Sequence, residues 1–146
     1  MTEIDHSTEL ILGTAQFQSG YGIVRDPEHA YQSDSADILK LVALLGIAAL
    51  DTAPAYGDGE SEKNLGRVLK ALKPDVIVGT KFRVPDDQRG RAAQAVTASL
   101  EASLSRLGLD RVDLLQLHNP ISEGGRDRTI DAGAVLDQVV PALQDL

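Results

Sequence analysis

The chain has 146 residues, 42% of them hydrophobic and only 3% aromatic, which is enough for one ordinary domain whose core is filled by Leu, Val, Ile and Ala. A formal charge of -8 argues against general affinity for nucleic acid or anionic membranes, since both need a basic surface. Zero cysteines exclude disulfides, thiolate metal ligands and a cysteine nucleophile.

In chain order, Met1-Thr2-Glu3-Ile4-Asp5-His6 lacks the basic start and apolar core of a signal peptide, and no apolar run approaches the roughly 20 residues of a membrane helix. The cytoplasm is the expected compartment. Residues 9–14 read as a first strand, with Leu10-Ile11-Leu12 apolar and Gly13 as the break. Residues 16–32, with Gly20 and Gly22 around Tyr21, form a loop long enough to suggest a functional role. Ser33 or Asp34 caps an expected helix carrying Ile38, Leu39, Leu41, Val42 and Leu45, and Gly46 stops it. Residues 47–50 are too short for a helix and suit a buried strand, with Asp51 and Tyr56 at its C-terminal mouth.

Ser61 begins a second helix, in which Leu65, Val68, Leu69 and Leu72 share a face while Glu60, Glu62, Lys63, Arg67 and Lys70 are expected in water; Pro74 closes it. Residues 76–81 are a β-branched run ending in Lys81, the third strand. Residues 85–91 read as polar loop, and residues 92–107 as a long Ala-rich helix with Val96, Leu100, Leu104 and Leu107, ended by Gly108. Residues 112–117 are the fourth strand, followed at once by His118-Asn119-Pro120. After a polar loop at 121–129, residues 134–146 look helical, with Pro141 expected to kink or interrupt them. Strand and helix alternate four times at intervals of roughly 30 to 35 residues, about one βα unit each, which predicts a parallel sheet with right-handed crossovers.

Each strand after the first ends in a residue suited to chemistry: Asp51 with Tyr56, Lys81, and His118. Taken singly, each has an ordinary explanation as a turn, rim or solvated residue. Parallel strands bring their C-terminal ends to one mouth, where ligands bind in α/β folds, so the four side chains are expected to meet. A cation beside a phenol favours its ionised form and suits it to act as a general acid. Lys81 can be that cation, Asp51 its partner, and His118 a donor that orients a carbonyl oxygen. The ensemble suits protonation of that oxygen as a hydride arrives at carbon. His6 and His29 lie in polar stretches and read as surface residues; no histidine pair has ligand spacing, so no metal is expected. Neither Gly20-Tyr21-Gly22 nor Gly57-Asp58-Gly59 completes a dinucleotide fingerprint.

These residues resemble the aldo-keto reductases. Asp51-Thr52-Ala53-Pro54-Ala55-Tyr56-Gly57 followed by Ser61-Glu62-Lys63-Asn64-Leu65-Gly66 is similar to that family's second strand and helix, and Val78-Gly79-Thr80-Lys81 to its lysine strand. The run from Ser103 to His118 is similar to its histidine segment, and Leu10-Ile11-Leu12-Gly13-Thr14-Ala15-Gln16-Phe17 to its first strand. The resemblance implies a (β/α)8 barrel that reduces a small-molecule aldehyde or ketone with NADPH. It implies Tyr56 as proton donor, Lys81 and Asp51 tuning it, and His118 orienting the substrate. Gly13, Thr14 and Asp51 would line the nicotinamide side.

A whole barrel of this type needs about 250 residues. The expectation for residues 1–146 is therefore a single partial barrel domain of about four βα units, truncated within its fourth helix, with most cofactor-binding segments absent. It is expected to expose strand edges through which it can self-associate. The alternative reading is a non-catalytic assembly or regulatory module derived from such an enzyme. Some other parallel-barrel lyase or isomerase would rest on the fold alone.

Overall fold

The computed structural model describes residues 10–15, 17, 46–123 and 129–146. The expected helix at 33–45, most of the loop at 16–32, and His6 and His29 lie outside the described residues.

Four parallel strands lie side by side in sequence order: β1 (Ile11–Gly13), β2 (Ala49–Asp51), β3 (Ile77–Phe82) and β4 (Leu114–Leu117). Helix α1 (Glu60–Leu72) follows β2, and helix α2 (Ala92–Leu107) follows β3. This is the front of a doubly layered βα array, the arrangement predicted from the alternation of apolar runs and amphipathic stretches. Strand periodicity divides the side chains between two faces. Leu50 and Val78 pack outward against Leu65, Val68 and Leu69 of α1 and Leu107 of α2. Farther along the sheet, Phe82 and Val84 join Ala92 and Val96 of α2 in a second core cluster, closed by Ile130, Val139 and Ala142.

Several boundaries differ from expectation. Asp51 is itself the last residue of β2, and β4 begins only at Leu114. The polar stretch expected as loop forms a 3₁₀ turn over Asp86–Arg91 that leads directly into α2. Within the expected loop at 121–129, β5 (Ile121–Ser122) pairs in parallel with β6 (Ile130–Asp131). The last helical region is built from α3 (Ala132–Ala134), a π-helical stretch at Val135–Val139, and α4 (Val140–Gln144). The Val140 N–H reaches the Val135 carbonyl, one residue farther back than an α-helix allows. Pro141, which has no N–H to offer, sits just beyond that wide turn, so the expected interruption takes the form of a π bulge.

Glu62 is the largest correction. Expected in water, it is wholly buried, because it occupies the same stripe of α1 as Leu65, Gly66 and Leu69. Conversely Leu72, expected on the apolar face, is 42% exposed on the last turn of α1.

Candidate active site

Three inner-face positions on neighbouring strands set the geometry. Register pairs Gly13 with Asp51 and Asp51 with Gly79, and pairs Lys81 with Gln116. Asp51, Lys81 and His118 therefore rise in steps toward the C-terminal mouth, the backbone N–H of His118 being fixed by the Phe82 carbonyl at 2.8 Å. Tyr56 comes from the turn between β2 and α1. That turn runs through Gly57 (φ 62°), Asp58 (φ 52°) and Gly59 (φ 82°), a left-handed series that lets the chain fold back at once into the helix.

Lys81 is the hub. Its Nζ donates to Asp51 Oδ2 at 2.6 Å, to the Thr52 carbonyl at 3.0 Å and to the Tyr56 hydroxyl oxygen at 3.2 Å. All three donor sites of the ammonium thus have partners. The same Nζ lies 5.1 Å from the centre of the Tyr56 ring, so its close contact is with the hydroxyl rather than the ring face. Because Tyr56 accepts from Lys81, its own O–H remains free to donate. The His118 ring meets Tyr56 edge-on, with centroids 6.0 Å apart and planes at 83°. Burial, with the positive charges of Arg83 and Lys81, holds the His118 imidazole below its usual pKa of 6.5, Asp51 pulling in the opposite direction. These influences favour the neutral form of the His118 ring, which has one N–H to donate.

The structure thus brings together Asp51, Tyr56, Lys81 and His118. Gly13 stands beside Asp51 with open space over its Cα. Thr14 is different: its side chain is wholly buried, its hydroxyl 3.0 Å from Ser61 Oγ and 3.2 Å from the Asp51 carbonyl, so it shows no surface to a ligand. Ser61 Oγ also donates to the Thr14 carbonyl at 2.7 Å and lies 3.3 Å from Thr52 Oγ1, tying the start of α1 to the ends of β1 and β2.

Two supporting groups escaped the sequence reading. Glu62 accepts from Thr80 Oγ1 and from Arg106 Nε, both at 2.6 Å, joining α1, β3 and α2 directly behind Lys81. Its spacing from Leu65, Gly66 and Leu69 was the available signal, overridden by its charge. Asn119, buried, accepts from the Val84 N–H at 2.8 Å and donates to the Val84 carbonyl at 3.1 Å, which fixes the backbone next to His118. Nothing in its local sequence announces that role. Among the described residues no cluster of acidic or histidine side chains is arranged to hold a metal ion.

The described residues thus place a phenol, an ammonium, a carboxylate and an imidazole together at the C-terminal ends of a parallel βα array. The sequence model of the Aldo/keto reductase family matches residues 9–146. The chain belongs to that family. It is 37% identical over 118 residues to L-galactose dehydrogenase of Arabidopsis thaliana, covering 79% of this chain and 35% of that protein. It is 41% identical over 100 residues to D-threo-aldose 1-dehydrogenase of a Pseudomonas species, covering 51% of this chain and 30% of that protein. Among solved structures, glycerol dehydrogenase of Gluconobacter oxydans superposes with a TM-score of 0.60 at 27% identity, over 93% of this chain and 40% of that one. An aldo-keto reductase of Klebsiella pneumoniae in complex with NADPH has the same fold, with a TM-score of 0.62 at 24% identity over 93% of this chain and 40% of that one. The chain spans about a third of the length of these curated relatives.

Proposed function

We propose that this chain carries the proton-donating centre of an NADPH-dependent carbonyl reductase acting on small aldehydes or ketones, with Tyr56 as the acid. The observation that carries the reading is the Lys81 ammonium, which binds Asp51 and Tyr56 at once. As the phenol proton moves to a substrate oxygen, negative charge grows on an atom that already accepts a hydrogen bond from a cation. Asp51 holds that cation in place, and His118 donates to the same substrate oxygen and fixes its direction.

The residues present fit the nicotinamide end of the cofactor. Gly13 leaves open space beside Asp51, and the donor set supplies a proton but calls for a hydride from outside. A nicotinamide held there would supply the hydride that the carbonyl carbon needs. Gly13 and Asp51 line that side, and Thr14 supports it from behind through Ser61. The family, and the NADPH complex of the Klebsiella protein, favour this cofactor.

With NADPH and a panel of aldehydes, loss of reduced cofactor should be seen and Tyr56→Phe should lower it by at least about 100-fold. No NADPH binding and no turnover, or full turnover by the Phe variant, sinks the reading for this chain.

A second feature favours assembly. Leu10 and Ile11 on the β1 side are 62% and 66% exposed, and Leu114 on β4 is 47% exposed. We read the four described strands as part of the front half of a barrel, whose outer strands associate with a further set of strands, here a second copy. Cytoplasmic residence is part of this reading; among the described residues no helix is long and apolar enough to cross a membrane.

A further inference from the structure

Beside Lys81 and His118 lies a cleft of about 350 Å³. Its walls are largely apolar: Pro54 and Ala55 from the turn after β2, Phe82 and Pro85 from the end of β3 onward, Ala95 and Ala98 from α2. Its volume is at the small end of the range for ligand sites, roughly 300–1,000 Å³.

Three basic side chains border this cleft, and their charges are not equally available. The Lys81 ammonium is committed to Asp51, Thr52 and Tyr56. His118 is held toward its neutral form. Arg83 is exposed, and among the described residues it makes neither a hydrogen bond nor an ion pair, whereas Arg106 is bound to Glu62. Asp51, the acid of the proton-donating group, is already neutralised by Lys81 at 2.6 Å and does not compete for Arg83. Arg83 thus offers a free planar fork of N–H donors at the rim of an apolar cleft, a shape that matches a carboxylate in two parallel bonds.

We propose that Arg83 determines specificity at this site, and that the substrate is a compact aldehyde or ketone carrying a carboxylate, its carbon skeleton against the apolar walls and its anion on the guanidinium. The proposal rests on the carbonyl-reductase reading, which left the substrate class open.

Levulinate and its methyl ester share one ketone skeleton and differ in the anion, so they serve as the pair of probes. Each is titrated into the 146-residue chain while the His118 imidazole resonances are followed by NMR across pH. Levulinate should bind at least about tenfold more tightly than the ester and raise the His118 pKa, because the bound anion offsets the field of Arg83. Arg83→Leu should erase the preference and by itself raise the His118 pKa, while Arg83→Lys keeps part of the preference. Because Arg83 is exposed, both variants should retain the wild-type circular dichroism spectrum and unfolding midpoint. Equal binding of acid and ester, no binding of levulinate, or a preference that survives in Arg83→Leu overturns the proposal. A chain that selects levulinate through Arg83 yet never oxidises NADPH upholds Arg83 as the carboxylate-selecting group and overturns the reductase reading together with the substrate class built on it. A chain that oxidises NADPH with acid and ester alike does the reverse.

Discussion

Replacing Lys81 by Met keeps the length of the side chain and removes the charge on which both Asp51 and Tyr56 depend. Asp51 then loses its partner at 2.6 Å and Tyr56 its donor at 3.2 Å. Turnover of NADPH should fall by about 100-fold or more in a steady-state assay at saturating aldehyde, as expected when a preorganised donor at a developing charge is removed. His118 gives a pH signature. Its folded pKa lies below the unfolded value near 6.5, so between the two values the unfolded chain binds a proton that the folded chain does not. The contribution of His118 to stability is complete above pH 6.5 and is lost as pH falls through 6.5 toward the folded value. Urea unfolding at a series of pH values should show wild type losing more stability over that window than His118→Gln. At this scale the sequence was informative about strand ends, because period-two alternation and a shared mouth suffice to gather Asp51, Lys81 and His118. It was silent on Asn119 and misleading on Glu62, because a side chain's burial depends on what other elements bring to it. Arg106 and Thr80, distant in sequence, are what make a buried carboxylate tolerable.

Between elements, α1 and α2 touch most closely at Gly66 and around Glu62. A Cβ built on Gly66 would lie 2.5 Å from the Leu107 carbonyl oxygen and 2.7 Å from that of Arg106, both backbone atoms that cannot move aside cheaply. Gly66→Ala should therefore cost about 3 kcal/mol in denaturant unfolding, despite the better helix propensity of alanine. The Glu62–Arg106 pair is asymmetric, since the Arg106 side chain is 22% exposed and that of Glu62 wholly buried. Arg106→Ala strands a carboxylate without its counter-charge and should cost about 3–5 kcal/mol. Glu62→Gln leaves a guanidinium that can turn to water, with an amide oxygen still able to accept from Thr80, and should cost clearly less. Equal losses in the two variants would contradict this account. The two helices were legible from their apolar spacing, and the left-handed Gly108 (φ 66°) ends α2 where its sequence implied. The 3₁₀ turn before α2 and the π stretch after α3 were not, because both are adjustments to tertiary packing and to Pro141 rather than patterns in composition.

Among the described residues, α1 and α2 cover the outer face of the sheet at Leu50 and Val78, while its inner face carries Asp51 and Lys81 and leaves Ile11 and Leu114 exposed. Exposed Ile11 and Leu114 on the two outermost strands should draw copies together. Light scattering after size exclusion is expected to show species larger than 15.6 kDa, and Ile11→Lys with Leu114→Lys should shift them toward the monomer without lowering the unfolding midpoint. A monodisperse wild-type monomer would count against association. Parallel sense followed from the βα alternation, whereas sequential strand order followed from the resemblance to a barrel, because alternation alone also fits doubly wound orders.

The join between β3 and β4 reaches beyond the paired residues at both ends. Asp113 Oδ2 takes the Val78 N–H at 2.9 Å below the first pair, and the Asn119 amide grips both backbone groups of Val84 above the last. Two side chains therefore imitate the missing main chain of a longer strand. In amide hydrogen exchange, Val78 and Val84 should be protected as strongly as Thr80 and Phe82 between them, with one opening event releasing all four. Asn119→Ala should free Val84 to exchange rapidly while Val78 stays slow, dividing one cooperative unit into two beneath the histidine that completes the site.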